Sequence, residues 1–178
     1  EELLAAMKPK CRYWIRLAQR KGVRVVHGDE SDMAEFVRLH RSTAERQHFA
    51  TFPLQYFTDT WHTFSPHGKI KLFLAHSDGE PVAGILVTVM GNCAYYGWGG
   101  LSKDKPDVGA NYLAHWEAIQ WARSVGCAYY DFAGVGGDDG VSRFKKQWGG
   151  EIVDYPDPLD GYFGPFARMV EKGCKGTW

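Results

Sequence analysis

The spacing of apolar positions changes period twice along the chain, and those changes set the expected elements. Glu1 to Lys21 repeats at helical spacing with a break near Pro9, and Gly22 stops it before the β-branched run Val23 to Val26. Ser31 or Asp32 caps a second helix whose apolar stripe is Met33, Phe36, Val37 and His40. Pro53 opens a third, with Tyr56, Phe57 and Trp61 on its buried side. After Gly68 the period shortens to that of strands. Lys69–Ala75, Pro81–Met90 and Cys93–Trp98 read as a meander, turned at Asp78-Gly79 and Gly91-Asn92. Helical spacing returns from about Val108 to Val125. Gly126 closes that helix, Cys127–Phe132 reads as another strand, Arg143–Trp148 as a short helix, and Glu151–Tyr155 as a last strand. The tail over 156–178 is turn-rich.

With 178 residues, 44% of them hydrophobic and 15% aromatic, the chain can bury one core, so a single domain over 1–178 is expected. Its 21 lysines and arginines balance 21 acids, so net charge names no nucleic-acid or membrane partner, and any such claim rests on how charge is distributed. Cys11, Cys93, Cys127 and Cys174 lie far apart without C-x-x-C or ligand spacing, which predicts reduced thiols, no metal site and a cytoplasmic setting. No apolar run reaches the roughly 18 to 20 residues that span a bilayer, and no signal peptide opens the sequence. The chain begins at Glu1, already within a helical pattern, which reads as a piece whose neighbour lies upstream.

Two segments invite chemistry. Arg143-Phe144-Lys145-Lys146-Gln147-Trp148-Gly149-Gly150 offers paired lysines on a helix that stops at a double glycine. From Lys8 to Arg24 there are seven lysines and arginines and no acid. Arg12, Arg16 and Arg20 recur every four residues, opposite Cys11, Ile15 and Ala18, so the basic helix over 1–22 could follow a nucleic-acid backbone. The glycine cluster Gly134–Gly140 reads as a strand-to-helix connection, because Asp138 and Asp139 would repel phosphate.

The order strand, two helices, three antiparallel strands, helix, strand, helix, strand resembles the GNAT N-acyltransferase fold, an α/β fold with a mixed central sheet. That fold usually holds the pyrophosphate of coenzyme A on a Q/R-x-x-G-x-G/A turn at a helix N-terminus. The corresponding stretch here, Leu101 to Ala110, has one glycine and two aspartates. Weak or absent binding of acetyl-coenzyme A is therefore expected.

Lys10-Cys11-Arg12-Tyr13-Trp14-Ile15-Arg16-Leu17-Ala18, Asn111-Tyr112-Leu113 with Trp116-Glu117-Ala118, Tyr130-Asp131-Phe132, and Phe144-Lys145-x-x-Trp148-Gly149-Gly150 resemble the Fem family (FemABX-type) of peptidyltransferases. Members join an amino acid from aminoacyl-tRNA to the peptide of a cell-wall precursor or a related peptide, and resemble two GNAT-like domains in tandem. This chain matches the second. The resemblance implies aminoacyl-tRNA as co-substrate with no bound cofactor, an upstream GNAT-like domain as partner, and contact with membrane only through a lipid-linked substrate. It implies that Lys145 faces the oxyanion or the terminal ribose, that Phe144 shapes the pocket, and that Lys146 points elsewhere. For the acceptor the candidates are Arg46, Tyr56, Tyr95, Tyr96 and Trp98; the segment Glu45 to Phe49 around Arg46 resembles the family's acceptor-side region, and filling the core and sheet face is the alternative role for Tyr95, Tyr96 and Trp98. Family members usually carry an arginine shortly before the position of Tyr56, and Phe49 to Gln55 has none. Arg12, Arg16 and Arg20 are the candidates for tRNA. The seven histidines show no assignable spacing and are read as surface or core residues. Acyl-coenzyme A transfer and a non-catalytic binding domain are the alternatives.

Overall fold

The computed structural model describes residues 2–104, 106–136 and 139–154. Five strands form one sheet in the order β1-β2-β3-β4-β5, spanning Arg24–Gly28, Ile70–Ser77, Glu80–Met90, Cys93–Leu101 and Tyr129–Asp131. The first four pair antiparallel and β5 joins β4 in parallel, which requires the long helical crossover between them.

Both sheet faces are covered, and for that reason β3 is buried almost end to end instead of alternating. On one face α2 (Pro9–Arg20) packs on α5 (Ala110–Ser124), burying Cys11, Ile15, Phe73, Ile85, Val87 and Ala118 together. On the other face α3 (Met33–Gln47) and α4 (Leu54–Phe64) bury Phe36, Leu39, Phe57, Leu72 and Leu86. Each fully buried Phe or Leu of these layers contributes about 1.5–3 kcal/mol relative to exposure. The helix begun by Ser31 or Asp32 starts on a wider cap. Asp29 Oδ1 accepts from the Ser31 amide at 2.8 Å, and Asp32 Oδ2 accepts from the Asp29 amide at 3.0 Å, a reciprocal box on the 3-10 turn that leads into α3.

α3 lies against β4 backbone to backbone. A Cβ on Gly100 would stand 2.3 Å from the His40 nitrogen, closer than any side chain could sit, so this crossing requires glycine there. A second close approach ties Ala6 and Lys8 to the segment just after α6 (Gly140–Lys145). Gly149 has φ +78° and a Cβ there would lie 2.2 Å from the Ala6 carbonyl oxygen, while the Lys8 amide donates to the Gln147 carbonyl at 3.0 Å.

Three expectations change. The strand read over Cys127–Phe132 shortens to Tyr129–Asp131, because only Cys93–Tyr95 of β4 run alongside it. No strand forms over 151–154, and Tyr155 with the turn-rich tail lies outside the described residues. The short helix read over Arg143–Trp148 lies earlier, at Gly140–Lys145. The expected break near Pro9 is present and separates a five-residue α1 (Glu2–Ala6) from α2. The Arg12 guanidinium donates to the carbonyls of Leu4 at 3.2 Å, Ala5 at 3.3 Å and Met7, closing the open C-terminal end of α1.

Candidate active site

β4 and β5 stay in register from Cys93↔Tyr129 to Tyr95↔Asp131 and then part, β4 continuing to Leu101 while the chain after β5 turns away. A cleft of about 280 Å³ opens beside this fork. Its walls are Tyr96, Trp98 and Gly99 from β4, His40 and Thr43 from α3, Phe49 and Phe52 before α4, and Ala133 and Lys145 from the side of β5 and α6.

A bulge builds one wall. Leu86 pairs with Trp98 and Val87 with Tyr96, so Gly97 is left without a partner and the side-chain alternation of β4 inverts there. In an unbroken strand residues 96 and 98 would share a face. Here Tyr96 packs with the α2–α5 core and Trp98 with the α3–α4 core, so the cleft is edged by aromatics from both layers. The Tyr96 hydroxyl lies over Gly99, where a Cβ would be 2.1 Å from it.

Lys145 is placed by several local contacts. The Asp139 carboxylate caps α6 through the Ser142 amide at 2.7 Å, and the Ser142 hydroxyl reaches the Gly136 carbonyl, fixing the start of α6 against the glycine connection. The far end is held by Trp148, buried and stacked on Tyr112 with centroids 6.1 Å apart. Between these anchors Lys145 Nζ donates to the Gly134 carbonyl at 2.8 Å and sits 5.8 Å from the Tyr96 ring centroid. Among the described residues Gly134 is its hydrogen-bond partner, and an ammonium has three N–H donors. Burial lowers the Lys145 pKa, while Asp131 and Asp139 act to raise it. Beside it, the Asp131 carboxylate accepts from the Ala133 amide at 2.7 Å and holds Ala133 at φ +59° on the cleft wall.

The sequence candidates separate on this geometry. Lys145, Tyr96 and Trp98 converge on the cleft, and Lys146 is exposed away from it. Phe144 turns inward, 4.9 Å from the Tyr112 ring and 5.3 Å from the His115 ring, so it supports the cleft from beneath and does not line it. Tyr56 stands behind the wall, stacked on Phe52 at 4.1 Å and edge-on to Trp98 at 5.7 Å. Arg46 is exposed at the rim, reaching the Thr43 hydroxyl at 3.5 Å. Tyr95 is partly exposed on the strand beside the fork. Arg16 and Arg20 are exposed along α2, whereas Arg12 is engaged with the carbonyls that end α1.

Two histidines that the sequence left without a role are part of this region. His40 is buried on the cleft wall with Nδ1 2.8 Å from the Gly99 carbonyl oxygen. Its position on the apolar stripe of α3 signalled burial, but nothing local signalled the cleft. His115 is fully buried beneath Tyr96, with Nδ1 2.9 Å from the Tyr130 hydroxyl and rings 4.4 Å apart from Tyr96. Burial, then the charge of Lys145, pushes its pKa down to about 3.

Just before the N-terminus of α5 stands an acid of the chain itself. Asp107 Oδ1 accepts from the amide of the N-cap residue Gly109 at 2.9 Å, which puts a negative charge beside the amides that a pyrophosphate would need.

A model of the acetyltransferase (GNAT) domain family matches residues 9–146. The lipid II:glycine glycyltransferase of Staphylococcus epidermidis is 22% identical over 97% of this chain and 58% of its own length. The UDP-N-acetylmuramoylpentapeptide-lysine N(6)-alanyltransferase of Weissella viridescens is 27% identical over 84% of the chain and 47% of its own length. The chain thus spans about half the length of these relatives. In fold it is similar to the crystal structure of FemX, with TM-score 0.78 at 22% identity, covering 83% of this chain and 55% of that one. It is also similar to a predicted acetyltransferase of Clostridium acetobutylicum solved with acetyl-CoA, with TM-score 0.64 at 10% identity, covering 78% of this chain and 96% of that one. The mixed sheet with its β4–β5 fork, the matched residues and these likenesses agree: the chain belongs to the acetyltransferase (GNAT) domain family, and within that fold it is similar to FemX and to the glycyl- and alanyltransferases named above.

Proposed function

We propose that this chain is the C-terminal GNAT-like domain of an aminoacyl-tRNA-dependent transferase, which adds an amino acid to the peptide of a peptidoglycan precursor or a related peptide. The carrying observation is Lys145. Its ammonium stands partly desolvated on the wall of an aromatic cleft at the strand fork, with Gly134 its hydrogen-bond partner among the described residues. An aminoacyl ester is already activated, so the protein has to hold the amine near the carbonyl and stabilise the oxyanion that forms on attack. A fixed cation in a cleft walled by Phe49, Phe52, Tyr96 and Trp98 suits that charge better than it would in open water.

The Asp107 carboxylate on the α5 N-terminus favours a donor other than coenzyme A. Exposed Arg16 and Arg20 on α2 supply phosphate contacts for tRNA, and Arg12 stiffens the α1–α2 junction beneath them. The acceptor is a cytoplasmic cell-wall precursor, soluble or lipid-linked, met between this domain and an upstream GNAT-like domain. No helix among the described residues is long and apolar enough to cross a membrane.

The test uses charged tRNA and muropeptide acceptors. Lys145→Ala should lower turnover by about 100-fold or more, the scale for removing one preorganised donor, with little change in substrate affinity. Lys146→Ala, exposed on the far side of the turn, should matter far less. Equal losses at both lysines together with weaker tRNA binding would make this helix a phosphate-binding surface and end the reading. Transfer from acetyl-coenzyme A in place of charged tRNA would move the activity to conventional acyl transfer.

A further inference from the structure

An ester can be aminolysed only if the attacking nitrogen sheds a proton, and Lys145, a cation, cannot take it. We propose that His40 is the proton acceptor of this cleft, with Nε2 receiving the proton of the attacking amine. The inference rests on the acyl-transfer reading above and adds a residue which neither the motifs nor the relatives point to.

Geometry carries it. His40 lines the same cleft as Lys145, on the wall contributed by α3. Its Nδ1 faces the Gly99 carbonyl at 2.8 Å, and a carbonyl only accepts, so Nδ1 bears the hydrogen and Nε2 keeps the lone pair. The ring is held on three sides: stacked on Phe36 at 6.0 Å, tilted to Phe49 at 5.7 Å and edge-on to Phe57 at 5.5 Å. Burial lowers its pKa against the raising effect of the Gly99 bond, which keeps the imidazole neutral and able to accept at neutral pH.

Elimination among the described residues supports the same assignment. No carboxylate lines the cleft. Thr43 Oγ1 already accepts from the Leu101 amide at 2.8 Å, and burial raises the Tyr96 phenol above its ordinary pKa, so neither is free to act as a base near neutrality. His40 alone combines a free lone pair with a fixed orientation. In the step, the C–N bond forms as the amine adds to the ester carbonyl, and the nitrogen proton passes to Nε2. The C–O bond to the ribose then breaks and its oxygen takes the proton back from the imidazolium, leaving amide, alcohol and neutral His40.

The experiment compares His40→Asn with His40→Gln in a preparation whose wild type is active. The Asn amide can keep the donor to Gly99 but offers no base, whereas Gln gives up that donor. Turnover in both should fall by about 100-fold or more at unchanged KM. His40→Ala should regain activity when imidazole is added. Wild-type turnover in His40→Asn, with loss only in His40→Gln, would assign the residue a structural role and overturn the proposal. Absence of imidazole rescue in a folded His40→Ala would do the same. If the wild type proves to transfer from acetyl-coenzyme A and not from aminoacyl-tRNA, the functional reading fails, while the His40 comparison on that activity still decides the present one.

Discussion

Acidification from about pH 7 to about pH 5 should cost this domain on the order of 2 kcal/mol through His115 alone. The folded ring is fully buried under Tyr96, Phe132 and Phe144, close to the Lys145 cation, and its pKa lies near 3, against 6.5 for an exposed histidine. In this window the unfolded chain takes up a proton that the folded one refuses, so the unfolded state binds more protons and stability falls as pH falls. Each unit below 6.5 is worth about 1.4 kcal/mol, and pH 5 lies about 1.5 units below it. Against a usual total of about 5–15 kcal/mol that is a large share. His27 and His40 are depressed in the same direction and add to the slope, so the comparison needs a variant that removes His115 only. Asp29 and Asp139, whose carboxyls sit below their ordinary range through bonds to Ser31 and Ser142, lose their contribution only at lower pH. Urea unfolding of the wild type and of His115→Gln at both pH values is the assay. The wild type should lose about 2 kcal/mol more than the variant on acidification. Equal losses would refute the claim that a neutral, desolvated imidazole sits at this point of the core.

Other outcomes follow from the same geometry. Gly100→Ala would drive a Cβ to 2.3 Å of the α3 backbone, so chemical denaturation should show a loss of about 3 kcal/mol or more together with a disturbed cleft wall. Charge reversal at Arg16 and Arg20 should weaken tRNA binding and flatten its salt dependence by roughly 0.7 to 0.9 in log–log slope per lost contact. Arg12→Ala should instead lower the melting temperature by releasing the end of α1, and the opposite pattern would exchange their roles. Calorimetric titration with acetyl-coenzyme A should give no micromolar binding, and Asp107→Asn should strengthen whatever weak binding exists, because the carboxylate at the α5 N-terminus repels phosphate.

The sequence by itself determined the element order, the change from helix to strand at Gly68, the two buried helix faces and the Phe144-Lys145-x-x-Trp148-Gly149-Gly150 segment that carries the candidate lysine. These are local properties: the period of apolar positions reports which face is buried, and glycine and proline report where a run must stop. What a residue meets across the fold is a property of register and helix packing, and neither is written in a local period. The bulge at Gly97 sends Tyr96 and Trp98 to opposite faces although alternation places them together. The end of β5 at Asp131 opens the fork, and residues 151–154 add no strand to close it. By spacing Arg12 is one more member of the basic stripe with Arg16 and Arg20, and only the break at Pro9, which brings α1 within its reach, sets it apart. His40, marked by the α3 stripe only as buried, and His115, which shared no assignable spacing, received their places from tertiary contact: one was set on a carbonyl at the cleft wall, the other sealed beneath the lysine. Such placements depend on partners about 15 to 60 residues away in sequence, Tyr130 for His115 and Gly99 for His40, so only the closed fold brings them together.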